Sequence, residues 1–486
     1  MATLIRRTDI SLGEGRARCA QHERCCRMSD NARAKKDVEK MLGNPRKAIL
    51  AIALPVALAL LLQNANNLVD ALWVVGLGSD ALSAIGLSHP LYSVTIAIGT
   101  GIGIGASSAI AWRIGKGEKG LADRTASQSV MTGLVVGLAL TPVLLLVGEP
   151  VMLYMGGAPV MDLCLDYSYP LFLSSAATVM MGVLTGILRG EGSARRSMYM
   201  LLLSAGLNII LDPIFIYTFG WGISGAAWAT VFSCIPAVML PVFWYFVRKD
   251  MYLDPLLRGF RFDRSLQRDI MRVGAPEAME LCIMNLMNIF LNTYVIVAGG
   301  TDAMAVWSTV WRINYMLLIP VQAIASAVVP VCAASYGMRR FDRIREGYNH
   351  SLAVGIAFTA GLSLLLFLGA EQAATVFTYS GGAEDLRPAM AHFIRVCCLF
   401  MPTMAWVFIG SSLLQSMGKA TYAMLSTLIR NVVLVLIFAY LATSGTDALW
   451  WGLLAGEVAG AALMGVWGRA TLRALERKPL RTDTAA

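Results

Sequence analysis

The chain has 486 residues, of which 57% are hydrophobic and 15% charged, with a mean hydropathy of +0.62. A soluble protein of this size carries about 25% charged residues, so that class is excluded. Apolar blocks of about 20 residues recur along nearly the whole length and mark a polytopic α-helical membrane protein; they lack the period-2 alternation of a membrane barrel. The net charge of +9 does not point to nucleic acid, because the basic residues gather in short loops between the blocks, the pattern that sets membrane orientation.

Residues 1–47 hold twelve Lys/Arg against six Asp/Glu and no apolar core, so they read as a disordered, basic cytoplasmic tail rather than a secretory signal. Within it, Cys19, His22, Cys25 and Cys26 lack a second ligand cluster at structural-zinc spacing, and no structural metal is expected. The other six cysteines lie in or beside apolar spans, where a thiol behaves as a small hydrophobe. Twelve spans follow, at 48–75, 83–112, 126–147, 161–188, 197–219, 223–247, 270–297, 304–335, 348–368, 389–414, 422–442 and 449–469. They group into a first six-helix lobe (48–247), a connector (248–269), a second six-helix lobe (270–470) and a tail (471–486). Cations cluster after the even-numbered spans, as in Arg113, Lys116, Lys119 and Arg124, while the intervening loops have almost none. Both termini are therefore expected on the cytoplasmic side of a cell membrane.

The two halves resemble each other. Setting Ile49 against Ile270 matches Pro55 with Pro276, Ala57 with Ala278, Leu60 with Leu281, Asn64 with Asn285 and Asn67 with Asn288. One residue of slip then pairs Asp80 with Asp302 and Gly115 with Gly337, and Arg189-Gly-Glu-Gly-Ser-Ala194 lines up with Gln415-Ser-Met-Gly-Lys-Ala420. Six spans separate the copies, which gives two parallel repeats about an axis along the membrane normal, with a central cleft between them.

Two carboxylates stand inside spans, where an ionisable group costs a few kcal/mol and usually faces a protein interior or water. In the first span, Gln63, Asn67 and Asp70 share one helix face at i, i+4, i+7. In the fifth, Asn208 and Asp212 are i, i+4, and Pro213, which has no N–H, frees the carbonyl of Ile209. The repeat places Leu291 opposite Asp70 and an apolar stretch near 434–438 opposite Asp212, so the scaffold does not require either acid. Such a pair can carry H⁺ or Na⁺ across.

Other polar groups have plainer readings. Asp162 and Asp166 begin the fourth span and read as solvated. Glu277 and Glu280 read as partners of Arg272. Arg312, Arg395, Arg430 and Glu457 read as structural pairs, with a second coupling site as the alternative, and His89 and His392 as packed or hydrogen-bonded. The run Gly99-Thr-Gly-Ile-Gly-Ile-Gly105 has no strand before it and no Lys-Ser/Thr after it, so it is a helix-packing surface rather than a phosphate loop. No nucleotide motif, zincin pattern or nucleophile–base set is present, so an enzyme is not expected.

Four segments carry a resemblance: Asp70-Ala-Leu-Trp-Val-Val-Gly-Leu-Gly-Ser-Asp-Ala-Leu-Ser-Ala-Ile-Gly86, Arg189-Gly-Glu-Gly192, Leu207-Asn-Ile-Ile-Leu-Asp-Pro-Ile-Phe215 and Gly222-Ile-Ser-Gly-Ala-Ala-Trp-Ala-Thr230. Over residues 45–470 the chain resembles the multidrug and toxic compound extrusion (MATE) transporters, in particular the branch named after damage-inducible protein F. The resemblance implies a twelve-helix antiporter that exports drug-like or cationic organic compounds against H⁺ or Na⁺, with no other cofactor. It implies a cation site at Asp70, Asn208, Asp212 and Thr230, support from Tyr167, and bending of the first span at Pro55. One departure is Ser197-Met198, where the family usually has a Pro after Arg-Gly-Glu-Gly. The expected protein is a monomer with small organic substrates in a lipid bilayer. The alternative is a lipid-linked oligosaccharide flippase of similar architecture, which needs a cationic cavity that Arg312, Arg395 and Arg430 would build.

Overall fold

The computed structural model describes residues 34–255, 260–378 and 384–476, and among them every regular element is helical. A short helix α1 (34–42) leads into α2 (Pro45–Val75), whose start is capped by the Asn44 side chain accepting from the N–H groups of Arg46 and Lys47. The first lobe continues with α3 (Ser79–Gly115), α4 (Lys119–Tyr154), α5 (Met161–Leu173), α6 (Ser175–Gly190), α7 (Ala194–Pro213) and α8 (Gly222–Val242). The second lobe holds α9 (Arg264–Gly337), α10 (Phe341–Leu368), α11 (Ala370–Thr378), α12 (Arg387–Phe400), α13 (Met404–Ser416), α14 (Ala420–Leu441) and α15 (Thr446–Glu476).

Ten of these stretches are singly long and apolar enough to cross a membrane, and the α5–α6 pair, bent by 50°, makes an eleventh. Helix α9 is two spans, because its backbone leaves the helical region at Gly299 and Gly300. Its two ends, at Ile270 and Ala334, both lie against α3, so it folds back on itself. The twelve spans among the described residues match the sequence expectation in number. The repeat shows in the turns. Gly300 (φ 65°) and Gly78 (φ 98°) close the first turn of each lobe in a left-handed conformation. The fourth span of each lobe is also interrupted, at Ser174 and at Met401–Thr403.

The tail expected to lack structure as far as residue 47 is helical from residue 34. Val38 and Met41 of α1 are buried in the core, and Arg343 of α10 donates to the carbonyls of Leu42 and Gly43. Helical spacing puts Ala34, Val38 and Met41 on one apolar face that the basic composition masked. The cysteine-rich segment 19–26 lies outside the described residues. The connector is also packed: Met251 and Leu253 are buried, Arg196 holds Asp250 at 3.1 Å, and Glu191 Oε2 accepts from the N–H of Leu253 at 3.2 Å.

The glycine run of α3 packs on two sides. A Cβ on Gly99 or Gly103 would meet the backbone of Val179 or Gly182 in α6 at under 3 Å, and one on Gly101 or Gly105 would meet Gly274 or Ile270 in α9. Spacing of four residues within each pair puts α6 on one face and the second lobe on another.

The lobes meet over one end and as far as the middle of α3, where Asn285 Nδ2 of α9 donates to Ser93 Oγ at 3.2 Å. A single hydrophobic core joins them, from α1 and residues 48–56 of α2 through Ile102–Ile114 to Val321–Ala334, Tyr348 and Leu413. Arg113 pairs with Asp269 there, Arg46 pairs with Glu346 at 2.8 Å, and Ser108 donates to the carbonyl of Gln415. This is the end that carries the basic loops. Toward the other end each lobe has its own cores, one around Trp307, Phe393 and Trp450 and others around Val74, Ala81 and Ile216. The space between the lobes therefore opens away from the basic end.

Candidate cation site

Helix α2 has two exposed stripes. Leu54, Leu58, Leu61, Leu68 and Leu72 form one, as befits contact with lipid. Gln63 and Asn67 are exposed on the opposite side, which faces the cleft. Asp70 is half-buried on that side, beyond them toward the open end.

Helix α7 brings Asn208 and Asp212 alongside, both buried. Asn66 Nδ2 donates to Asp70 Oδ2 at 3.1 Å and to Asn208 Oδ1 at 2.7 Å, and Asn208 Nδ2 donates to Asp212 Oδ1 at 3.1 Å. The carboxyl groups of Asp70 and Asp212 lie within hydrogen-bonding reach of each other. Two carboxylates that close, in a mostly apolar surrounding, repel strongly unless a proton or a cation lies between them. Asp70 Oδ1 and Asn66 Oδ1 are buried oxygens without a donor from the protein, which suits them to hold a hard cation.

The local backbone explains the placement. Pro213 cannot donate, and the chain beyond it runs as a π turn, Ile214–Thr218, of the kind that recurs at functional sites. That turn aims Tyr217 across to α2, where its hydroxyl donates to the carbonyl of Trp73 at 2.6 Å and its ring meets the indole edge-on. The far end of α2 is thus fastened to α7 close to Asp70.

The structure thus brings Asp70, Asn208 and Asp212 together. Tyr167 packs nearby against Val74, Ile216 and Ala226. Thr230 donates to the carbonyl of Ala226 on its own helix at 3.1 Å rather than to either acid. Gln63 and Asn67 line the cleft but take no part in the network. Asn66 takes the place expected of Asn67. It lies one turn from Asp70, the same i, i+4 relation that joins Asn208 to Asp212, and that relation was the available sequence signal. Pro55 is buried in α2, about 22 Å along the helix from Asp70.

The remaining polar groups also find their places. Asp162 and Asp166 are exposed. Glu277 and Glu280 do not pair with Arg272, which is exposed; they turn inward, to Gln415 and Thr427. Their spacing from Pro276 puts them on the buried face of α9 and Arg272 off it. Arg430 pairs with Glu457 at 2.9 Å, Arg395 with Glu371 at 2.8 Å, and His392 with Asp447 at 2.7 Å. His89 and Arg312 are exposed. With Arg395 and Arg430 neutralised by carboxylates, the cationic cavity that a pyrophosphate-linked substrate requires loses two of its three expected members.

Comparison with known proteins agrees with this architecture. The family model described as MatE matches residues 55–214 and 276–441, one copy per lobe. The multidrug export protein MepA of Staphylococcus aureus (strain NCTC 8325 / PS 47) is 23% identical over 419 residues, spanning 85% of this chain and 90% of its own. A multidrug resistance MATE family transporter of the MOP superfamily, solved in an outward-facing conformation, is 33% identical with a TM-score of 0.88, covering 91% of this chain and 99% of its own. A MOP superfamily transporter from Pyrococcus furiosus, described by a reversed polarity of its binding pocket that suggests a different function, gives the same identity, TM-score and coverage. The family match covers well over half of the chain, and its members are transporters rather than enzymes. The chain belongs to the MATE family of membrane transporters.

Proposed function

We propose that the protein is a secondary antiporter that exports drug-like or cationic organic compounds in exchange for inward H⁺ or Na⁺, coupled at Asp70 and Asp212. The observation that carries this reading is the meeting of two carboxyl groups from different spans, tied by Asn66 and Asn208, beside a cleft open at one end. The export activity is taken from the multidrug relatives. The basic loops support a cytoplasmic closed end, and in this reading the cleft opens outward. From there a proton or Na⁺ neutralises the pair, and its arrival displaces the organic cation that the acids attract. Alternating access then requires the basic-end seam to part and the far ends to close, with α2 bending between Pro55 and its fastening at Trp73. The protein resides in the plasma membrane and works as a monomer, with the small organic substrate and the coupling ion as its ligands.

The test is efflux of a cationic fluorescent dye from proteoliposomes under separate H⁺ and Na⁺ gradients. Asp70→Asn and Asp212→Asn should each reduce gradient-driven efflux to near background, and the gradient that drives the wild type names the ion. Full activity in both variants would overturn the assignment.

A further inference from the structure

The second lobe holds a buried acidic cluster that the proposed coupling site does not use. Glu277 and Glu280 stand one turn apart on α9, and each is more than nine-tenths buried. Glu277 accepts from Gln415 Nε2 of α13, which also bonds Ser411 at 3.0 Å. Glu280 Oε1 accepts from Thr427 of α14 at 2.7 Å, while its Oε2 is buried without a partner. Asn431 lies four residues beyond Thr427, on the same face of α14, and its buried amide nitrogen also has no partner. The nearest cation is Arg430, already paired with Glu457 on α15. Of the other charged or titratable groups around the cluster, Arg113 and Asp269 pair with each other, Arg272 is exposed, and Tyr315 lies toward Arg430. From α13 and α3 the facing groups are neutral: Gln415, Ser411 and Ser108. Three acids and one guanidinium cannot all stay ionised in so dry a place.

The position of the cluster gives it a role. Gln415 holds Glu277 with its side chain and accepts from Ser108 of the first lobe with its carbonyl, at 3.0 Å. Gly101 of the first lobe packs against Gly274 and Ala278, on either side of Glu277. The acids therefore lie directly behind the seam that must part. Their repeat partners in the first lobe are Val56 and Ala59, both buried and apolar, so the scaffold does not call for acids here. The neighbours that reach the carboxyl groups are donors, and no group of three or more acidic, His or Cys side chains gathers to hold a metal among the described residues.

We propose that Glu277 and Glu280 form a second proton site, loaded while the basic-end seam is closed and emptied when the seam opens. On opening, water enters, a carboxylic O–H bond breaks, the proton passes to that water and a hydrated carboxylate remains. A rise in pH on the basic side thus favours the open seam, and acid favours the closed one. The inference rests on the alternating-access reading but not on coupling at Asp70 and Asp212.

Hydrogen–deuterium exchange of residues 101–115 and 264–278 tests it in lipid nanodiscs from pH 6 to 9, corrected for intrinsic rates. A background of Asp70→Asn, Asp212→Asn and Glu191→Gln removes three other buried or half-buried acids of the first lobe. Protection at the seam should fall as pH rises, by up to about tenfold per pH unit for each proton released. Adding Glu277→Gln and Glu280→Gln should flatten the dependence, and Glu280→Asp alone should retain it. An unchanged slope in the double glutamine variant, or closure by NaCl at fixed pH with no effect of pH, overturns the proposal. If the double variant is lost to misfolding, Glu280→Gln alone must still lower the slope. A seam that never opens under any condition defeats alternating access instead, so the two failures are distinguishable.

Discussion

Asn66 and Asn67 flank Asp70 on α2, displaced from it by about 40° and about 60° around the helix axis. Helical spacing alone does not separate them, and α7 does. Asn208 stands on the Asn66 side, so Asn66 becomes the bridge and Asn67 faces the cleft. Removing the bridge leaves buried polar atoms unsatisfied, at about 1–3 kcal/mol. Asn66→Ala is therefore expected to slow dye efflux by roughly tenfold or more, while Asn67→Ala, measured in the same proteoliposomes, changes it far less. At the closed end, Glu191 is fully buried behind the connector, and that burial pushes its carboxyl up to about 7 against the pull of the Leu253 N–H, Arg196, Tyr245 and Ser193. A carboxyl raised on folding stabilises the protein most below its ordinary value of 4.5, and that contribution is lost as pH rises through about 7. Thermal melts should show wild-type stability falling over this window by more than that of Glu191→Gln, whose amide does not ionise.

Glycine decides how closely the helices approach. A Cβ on Gly186 would sit 2.0 Å from the carbonyl oxygen of Gly103, whereas one on Gly120 would meet nothing within 4 Å. Gly186→Ala must separate α3 from α6 and is expected to cost about 1–3 kcal/mol. Gly120→Ala should stay within about 0.5 kcal/mol, and urea or thermal unfolding in detergent distinguishes the two. Much at this scale is legible in the sequence. A 20-residue apolar block can hardly be anything but a span, and glycines at every second position of one span announce close neighbours. Which neighbours is not legible, because Gly99 and Gly101 look alike until α6 and α9 are in place. Nor is α1, since a helix of nine residues with three apolar contacts is too short to stand out within a basic tail.

At the scale of the molecule, the repeat foretells two lobes and the site confirms that they are chemically unequal. Asp70 and Asp212 stand where the second lobe is apolar, and Glu277 and Glu280 stand where the first lobe is apolar. The repeat does not say at which end the lobes touch. That depends on contacts between positions the alignment never pairs, such as Arg113 with Asp269 and Ser108 with Gln415, and a pattern within each half carries no information about them. Gly115 and Gly337 are the exception. They are repeat partners, and each meets the other lobe's backbone, at Ala334 and Trp112, so the pseudo-symmetry passes through the seam itself.

The shared core has a consequence for how the protein is made. A ribosome delivers the first lobe whole before the second exists. The cores around Ala81 and Val74 can then form at once, but Arg113 and the close-packing surface at Gly101, Gly105 and Gly115 must wait for α9. During synthesis the unfinished chain therefore carries an apolar face and a buried-type arginine uncovered on its basic side, the feature that a quality-control protease or chaperone would recognise. The same division means that neither half holds the other by threading. Expressed as two chains divided between the lobes, the halves should assemble in the membrane, co-purify and restore dye efflux, whereas the first half alone should be short-lived.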